Sequence, residues 1–442
     1  MDAFGARKKL IFIVVLIVLF FLRLTVGLSS EFRADVGDER QVYLIGLKCY
    51  TTGTWPYFGP DVSSTIQIPG ALQGLAVGLP FFVLPIPEAP FILLNILSFL
   101  SLCFFAWYCT KRLPDIPGWF VWLWLLTVPW TLNLSTQVVN PSYVLVGSIL
   151  FFVGAIETYP FLTKKIIPIR LANFMMGLAL FWIIQFHLSW VILLPYVLLS
   201  FYFQYKLDRR ALLAATGWFI CGALITGSFL IPTFVKFGLT GGLGGTKEAL
   251  QINPDNLLRH LNIVEGVLGR FLSFASYELP RFIGNNTAAR LAFVRENLWL
   301  APSIVFLTVV GVLQPIAMLI IWFSKRHQRS DWKAIRLFTL ATIVLLYISF
   351  LFSIKAPLSH TFYVTFPVAM LYSLYCWDKY LAKPFWRKFA AVVIACGIIF
   401  QLGLAIHNYS RMSIYLDRKR VSEAIKTNDY RVLDERRPGT RY

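Results

Sequence analysis

The chain has 442 residues, of which 57% are apolar, 16% aromatic and 14% charged, with a mean hydropathy of +0.66. That composition argues against a soluble globular domain, a disordered chain and a nucleic-acid binder. The formal charge of +19, from 41 Lys and Arg against 22 Asp and Glu, reads first as basic cytoplasmic loops of a membrane protein rather than as a polyanion-binding surface.

A helix that crosses about 30 Å of hydrocarbon needs about 20 mostly apolar residues. Such runs predict an all-α integral membrane protein with about eleven transmembrane helices, at 10–28, 89–110, 117–134, 141–159, 170–184, 189–205, 211–235, 299–323, 334–353, 361–377 and 388–406. Arg7-Lys8-Lys9 ahead of Leu10 to Leu22 also fits the start of a signal peptide. No small-residue cleavage site follows and the apolar run continues to Leu28 with only Arg23 interrupting, so it is read as the first span. The six Cys show neither a CxxC nor a repeated spacing, which predicts no zinc site and no disulfide framework; Cys49, alone in a polar stretch, reads as a free thiol.

Residues 70–87 decide the sidedness. They are apolar but hold three Pro and three Gly, and if they crossed, every later loop would change sides. With this segment lying flat at the interface, the segments assigned to the cytoplasm hold 20 of the 41 basic residues, while the short loops opposite hold only Lys355. The N-terminus is therefore expected inside and 70–87 on the outer surface as an interfacial helix. Residues 1–406 form the expected transmembrane domain, with long outer loops at 29–88 and 236–298, followed by a polar tail at 407–442. Sixteen of the 22 acidic residues fall in these outer segments.

The first outer loop packs Glu31, Asp35, Asp38 and Glu39 into nine residues directly after a span. Such a cluster can supply a general base or hold a divalent cation; it can equally be a helix start, with Asp35 or Asp38 as the cap. Asn140-Pro141 reads as the cap and start of the fourth span. Gln185, His187 and Ser189 sit in an otherwise apolar hairpin at the outer face, where polar groups are either functional or paired across helices. Lys355 and His360 flank the mouth of the tenth span, placed to hold a lipid-linked phosphate or, for Lys355, to snorkel to headgroups. The Gly-rich start of the second outer loop lacks the ending of a phosphate-binding loop and reads as a linker or a mobile cover.

Taken together, Asp38-Glu39 with Tyr43, Asn140-Pro141, Gln185 through Ser189, and Lys355 through His360 to Pro367 resemble the GT-C superfamily of polytopic glycosyltransferases. The resemblance is to the group of protein O-mannosyltransferases, aminoarabinose transferases of lipid A and Rgt-like sugar transferases, and it covers most of residues 8 to 377. It implies the GT-C fold, with juxtamembrane helices in the first outer loop. It implies an inverting transfer of a sugar from a polyprenyl-phosphate donor to a glycan, lipid or protein acceptor, with Asp38 as general base. Glu39, Tyr43, Gln185, His187, Lys355 and His360 are the implied substrate-binding residues, the last two at the phosphate. Metal use stays open, a divalent ion being the one cofactor the acids admit. Many relatives carry a Lys-Pro-Pro or His-Pro-Pro element where this chain has Ile66-Gln67-Ile68-Pro69-Gly70, which leaves the acceptor undecided.

The expected setting is a bacterial inner membrane with the site facing the periplasm or exterior. A polytopic transporter or flippase of lipid-linked sugars would share the composition, but the polar residues here gather on one face rather than at the midplane and no repeated halves are evident. The tail, with nine basic and five acidic residues, is assigned no catalytic role, and removal of 418–442 is expected to leave some transfer.

Overall fold

A computed structural model describes residues 3–29, 37–62, 66–162, 164–242, 268–277, 279–284, 286–324, 330–349, 359–411 and 414–433. The main helices in chain order are α1 (Ala3–Leu28), α2 (Gly37–Thr52), α3 (Leu72–Val83), α4 (Ala89–Arg112), α5 (Gly118–Thr127), α6 (Pro129–Asn133), α7 (Asn140–Thr158), α8 (Ile169–Ile184), α9 (Leu194–Leu207), α10 (Arg209–Gly227) and α11 (Ile231–Gly242). They continue with α12 (Thr287–Glu296), α13 (Ala301–Phe323), α14 (Trp332–Ser349), α15 (Phe366–Leu381), α16 (Pro384–Arg411) and α17 (Ile414–Thr427).

Eight helical stretches among the described residues are long and apolar enough to cross a membrane: Lys9–Leu28, Ala89–Arg112, Asn140–Thr158, Leu188–Leu207, Arg209–Gly242, Leu298–Phe323, Trp332–Ser349 and Pro384–Tyr409. Each falls on an expected span. The other three expected spans, 117–134, 170–184 and 361–377, hold the shorter helices α5 with α6, α8 and α15. The described residues are overwhelmingly helical, as an all-α membrane protein requires, with one small strand pair beside the helices. Strands β1 (Phe58–Val62) and β2 (Ile66–Pro69) pair antiparallel, with Phe58 opposite Pro69 and Asp61 opposite Gln67. Ile66-Gln67-Ile68 has the period-2 alternation of a strand, a pattern too short to stand out beside the hydropathy of the spans.

The segment expected at the interface forms α3, whose 12 residues reach about 18 Å. One side of α3 packs on α2, where a Cβ on Gly46 would meet Val77 Cγ1 at 2.4 Å and Gly78 lies against Cys49. Its other side turns Leu79, Phe82 and Val83 outward. In the interior, α8 and α10 touch backbone to backbone: a Cβ on Gly177 would lie 1.9 Å from Phe219 O and one on Gly222 2.0 Å from Phe174 O. Small residues permit that approach between apolar helices, where lipid exclusion contributes little and close packing must supply the attraction.

Chain direction gives the bundle two polar ends. At one, the Arg112 guanidinium meets Glu157, whose carboxylate also accepts from Tyr108 Oη (2.8 Å) and Ile166 N (2.9 Å). These donors offset the desolvation of a buried carboxylate and hold the α7–α8 loop. At the other end lie α2, α3, Asn140 and the 185–189 turn. The helix that carries residues 384–411 runs through the expected domain boundary at 406/407.

Candidate functional site

The third expected span is broken beside the 359–365 turn. Pro129 has no backbone N–H, so the helix begun at Gly118 stops at Thr127 and resumes as α6. Leu125 O, four residues before Pro129, accepts Thr131 Oγ1 instead (3.0 Å), and Leu126 O accepts Arg23 Nη1 (3.3 Å). Arg23 also donates to Thr131 O (3.0 Å), Ser98 Oγ (3.2 Å) and Ser135 Oγ (3.0 Å). The side chain is fully buried, and every one of these acceptors is neutral. A cation at such depth is costly, and here it is retained by four neutral oxygens, among them Leu126 O beside the break at Pro129. The Tyr363 hydroxyl donates to Trp130 O (3.2 Å), bringing the 3-10 turn Ser359–Thr365 against α6. Arg23 was visible as the one charge inside the first span, and Pro129 as the proline in the interior of the third, but nothing local links the two.

Asp38 and Glu39 lie in the first turn of α2, where unbonded backbone N–H groups favour acids. The Asp38 side chain lies outside the described residues. Glu39 is buried, as is Tyr43 one turn later. The Tyr43 hydroxyl donates to Pro87 O (3.2 Å), tying α2 to the α3–α4 turn.

Asn140 differs from its expected role. Val139 occupies the cap position and no side chain caps α7; the Asn140 Oδ1 instead accepts Gln73 Nε2 from α3 at 2.6 Å. Gln185 Nε2 donates to Phe181 O (3.0 Å) and to Thr226 O on α10 (2.7 Å). Its other face lies on Gly70, where a Cβ would come within 2.4 Å of Gln185 Cγ. Gly70 also has φ +116°, so both conformation and contact require glycine there. The Oε1 atoms of Gln73 and Gln185 are buried with no hydrogen-bond partner. His187 caps the 3-10 turn that follows it: Nδ1 accepts Ser189 N (3.1 Å) and lies 2.9 Å from Ser189 Oγ. An amide donor at Nδ1 leaves the neutral ring's proton on Nε2. Tyr143 stacks on Phe186 with centroids 4.9 Å apart, and Trp182 Nε1 donates to Tyr143 O (2.9 Å).

The structure therefore brings together the start of α2, α3, the start of α7 and the 185–189 turn. Lys355 and the side chain of His360 lie outside the described residues, as do Glu31 and Asp35. Among the described residues, no three His, Cys, Asp or Glu side chains form a group that could hold a metal ion. No protein-family model, curated protein or solved structure matches the chain.

Proposed function

We propose that the protein is an inverting membrane glycosyltransferase with about eleven crossings and a GT-C arrangement, moving a sugar from a polyprenyl-phosphate donor to a glycan, lipid or protein acceptor on the outer face of a cell membrane. The observation that carries this reading is convergence. Motifs separated by more than a hundred residues meet at one end of the bundle, through the Gln73–Asn140 hydrogen bond and the Gly70–Gln185 contact, beside the helix that begins with two acids.

In this reading Asp38 removes a proton from the acceptor hydroxyl or amine as that atom bonds to the anomeric carbon. The bond from that carbon to the phosphate oxygen breaks, and the lipid phosphate leaves. Lys355 and His360 donate to the departing phosphate and stabilise its added charge. Glu39, beside the base, faces the acceptor. Tyr43, Gln185 and His187, each engaged with backbone, give the wall of the site its shape rather than exchange protons.

The test is transfer of labelled sugar from a panel of polyprenyl-phosphate sugars to membrane extracts by the purified protein in liposomes, with Asp38→Asn alongside. Loss of transfer with donor binding retained supports the assignment, and full activity in the variant removes Asp38 from the mechanism. A wild type that transfers from no donor, but moves lipid-linked sugar between leaflets, replaces the enzyme with a flippase.

A further inference from the structure

The polar tail folds back onto α2. On α17, Val421, Ala424 and Ile425 are buried at i, i+3, i+4 spacing, and Leu433 is buried beyond the helix end; the elements they occupy, α17 and the 3-10 turn Tyr430–Val432, pack against α2. Two neighbouring residues then reach in different directions. Asp417 pairs with Arg40 of α2 at 3.4 Å and is steadied by Arg420 at 3.7 Å, while Arg418 pairs with Glu88, which precedes α4. Farther along α2, Lys48 lies over the Tyr430 ring, 5.9 Å from its centroid. Between Arg40 and Lys48 the tail follows α2 for about 12 Å.

Tyr43 already ties α2 to the same α3–α4 turn through Pro87. The start of α2 is thus held from two sides, by Tyr43 within the helix and by the 417–418 pair across it. Arg40 stands two residues from Asp38 and one from Glu39.

We propose that Asp417 and Arg418 clamp the acid-bearing start of α2 to the start of α4, making the C-terminal helix a positioning element of the site. The chemistry it would serve rests on the transferase reading; the clamp itself does not. A helix that merely anchored the tail would need its apolar stripe but not two ion pairs divided between α2 and α4. Each pair is partly exposed and individually weak, but a small displacement of a reacting group costs much more than the pair that prevents it.

The experiment uses the full chain in detergent, with Arg40→Asp, Asp417→Arg and the charge-swapped double variant, and a parallel set at Glu88 and Arg418. Amide hydrogen exchange over residues 37–52 is expected to accelerate in each single variant and to return in the swap. In the transfer assay, kcat should fall by about tenfold or more with the donor KM kept, and recover in the swap. Exchange unchanged in the single variants overturns the clamp. Accelerated exchange with unchanged kcat overturns the positioning role. A wild type inactive with every donor fails the transferase reading alone, while the exchange measurement still decides the clamp. Should one single variant fail to fold, Asp417→Asn removes the charge without reversing it and must give the same exchange response.

Discussion

Gln73 Nε2 donates to Asn140 Oδ1 at 2.6 Å across 67 residues of chain, so α3 and the start of α7 are locked by one buried amide pair. Gln73 Oε1 has no partner of its own. Asn140→Leu would leave both polar atoms of the Gln73 amide buried and unpaired, at about 1–3 kcal/mol for the newly orphaned N–H. The double variant Gln73→Leu/Asn140→Leu removes both groups and should be more stable than Asn140→Leu alone. Thermal unfolding of the four proteins in one detergent closes the cycle, and a double variant no more stable than the single contradicts the argument.

Part of what Arg23 contributes should depend on the break at Pro129, through Leu126 O. Arg23→Met leaves Leu126 O without the guanidinium, at about 1–3 kcal/mol for each carbonyl orphaned. Pro129→Ala restores an N–H able to close the turn on Leu125 O and lets the helix continue. The cost of Arg23→Met, measured by the unfolding midpoint, should therefore shrink in the Pro129→Ala background.

Gly70→Ala places a methyl group 2.4 Å from Gln185 Cγ at a φ of +116°. The backbone strain alone is about 1–2 kcal/mol, and Gln185 must leave its bonds to Phe181 O and Thr226 O. Transfer activity should fall together with stability. Gln185→Ala in the same chain should recover stability but not transfer, as read by parallel melting and labelled-sugar assays.

Gly177→Leu and Gly222→Leu should each force α8 and α10 apart, because the first added carbon already falls about 2 Å from a carbonyl oxygen. Loss of folded, monodisperse protein on size exclusion is the expected outcome. Gly217→Ala on α10, where a Cβ has open space, is the control and should leave the elution profile unchanged.

Burial against α3 pushes the Cys49 thiol above its ordinary value of 9.0. A raised pKa means that the folded state holds the proton more tightly. Its contribution is complete below the ordinary thiol range and is lost as pH rises through that range. Maleimide labelling of Cys49 in the folded protein should be slow at neutral pH and quicken as pH rises. In Cys49→Ala the fall in stability above pH 9 should be smaller than in the wild type.

The eight long apolar helices were legible because the bilayer fixes a length that a run of side chains either meets or does not. The break between α3 and α4 was legible in the three Pro and three Gly of residues 70–87. Asn140 was misread because Asn before Pro is a common cap, and only the neighbouring α3 reveals the Gln73 donor that takes its oxygen. The tail was assigned no catalytic role because its pattern points to nothing beyond itself; Asp417 finds Arg40 377 residues away, a partner no local pattern names.

Which stretches become helices, and which of them bury apolar faces, was decided within windows of about 20 residues, since hydropathy and backbone hydrogen bonding are local. Which polar group meets which was decided only by the tertiary structure. Arg23 has its acceptors at Leu126, Thr131, Ser98 and Ser135, and Gln185 rests on Gly70. Each of these partnerships depends on where a rigid helix ends and which neighbour it faces, and side-chain type alone carries no record of either.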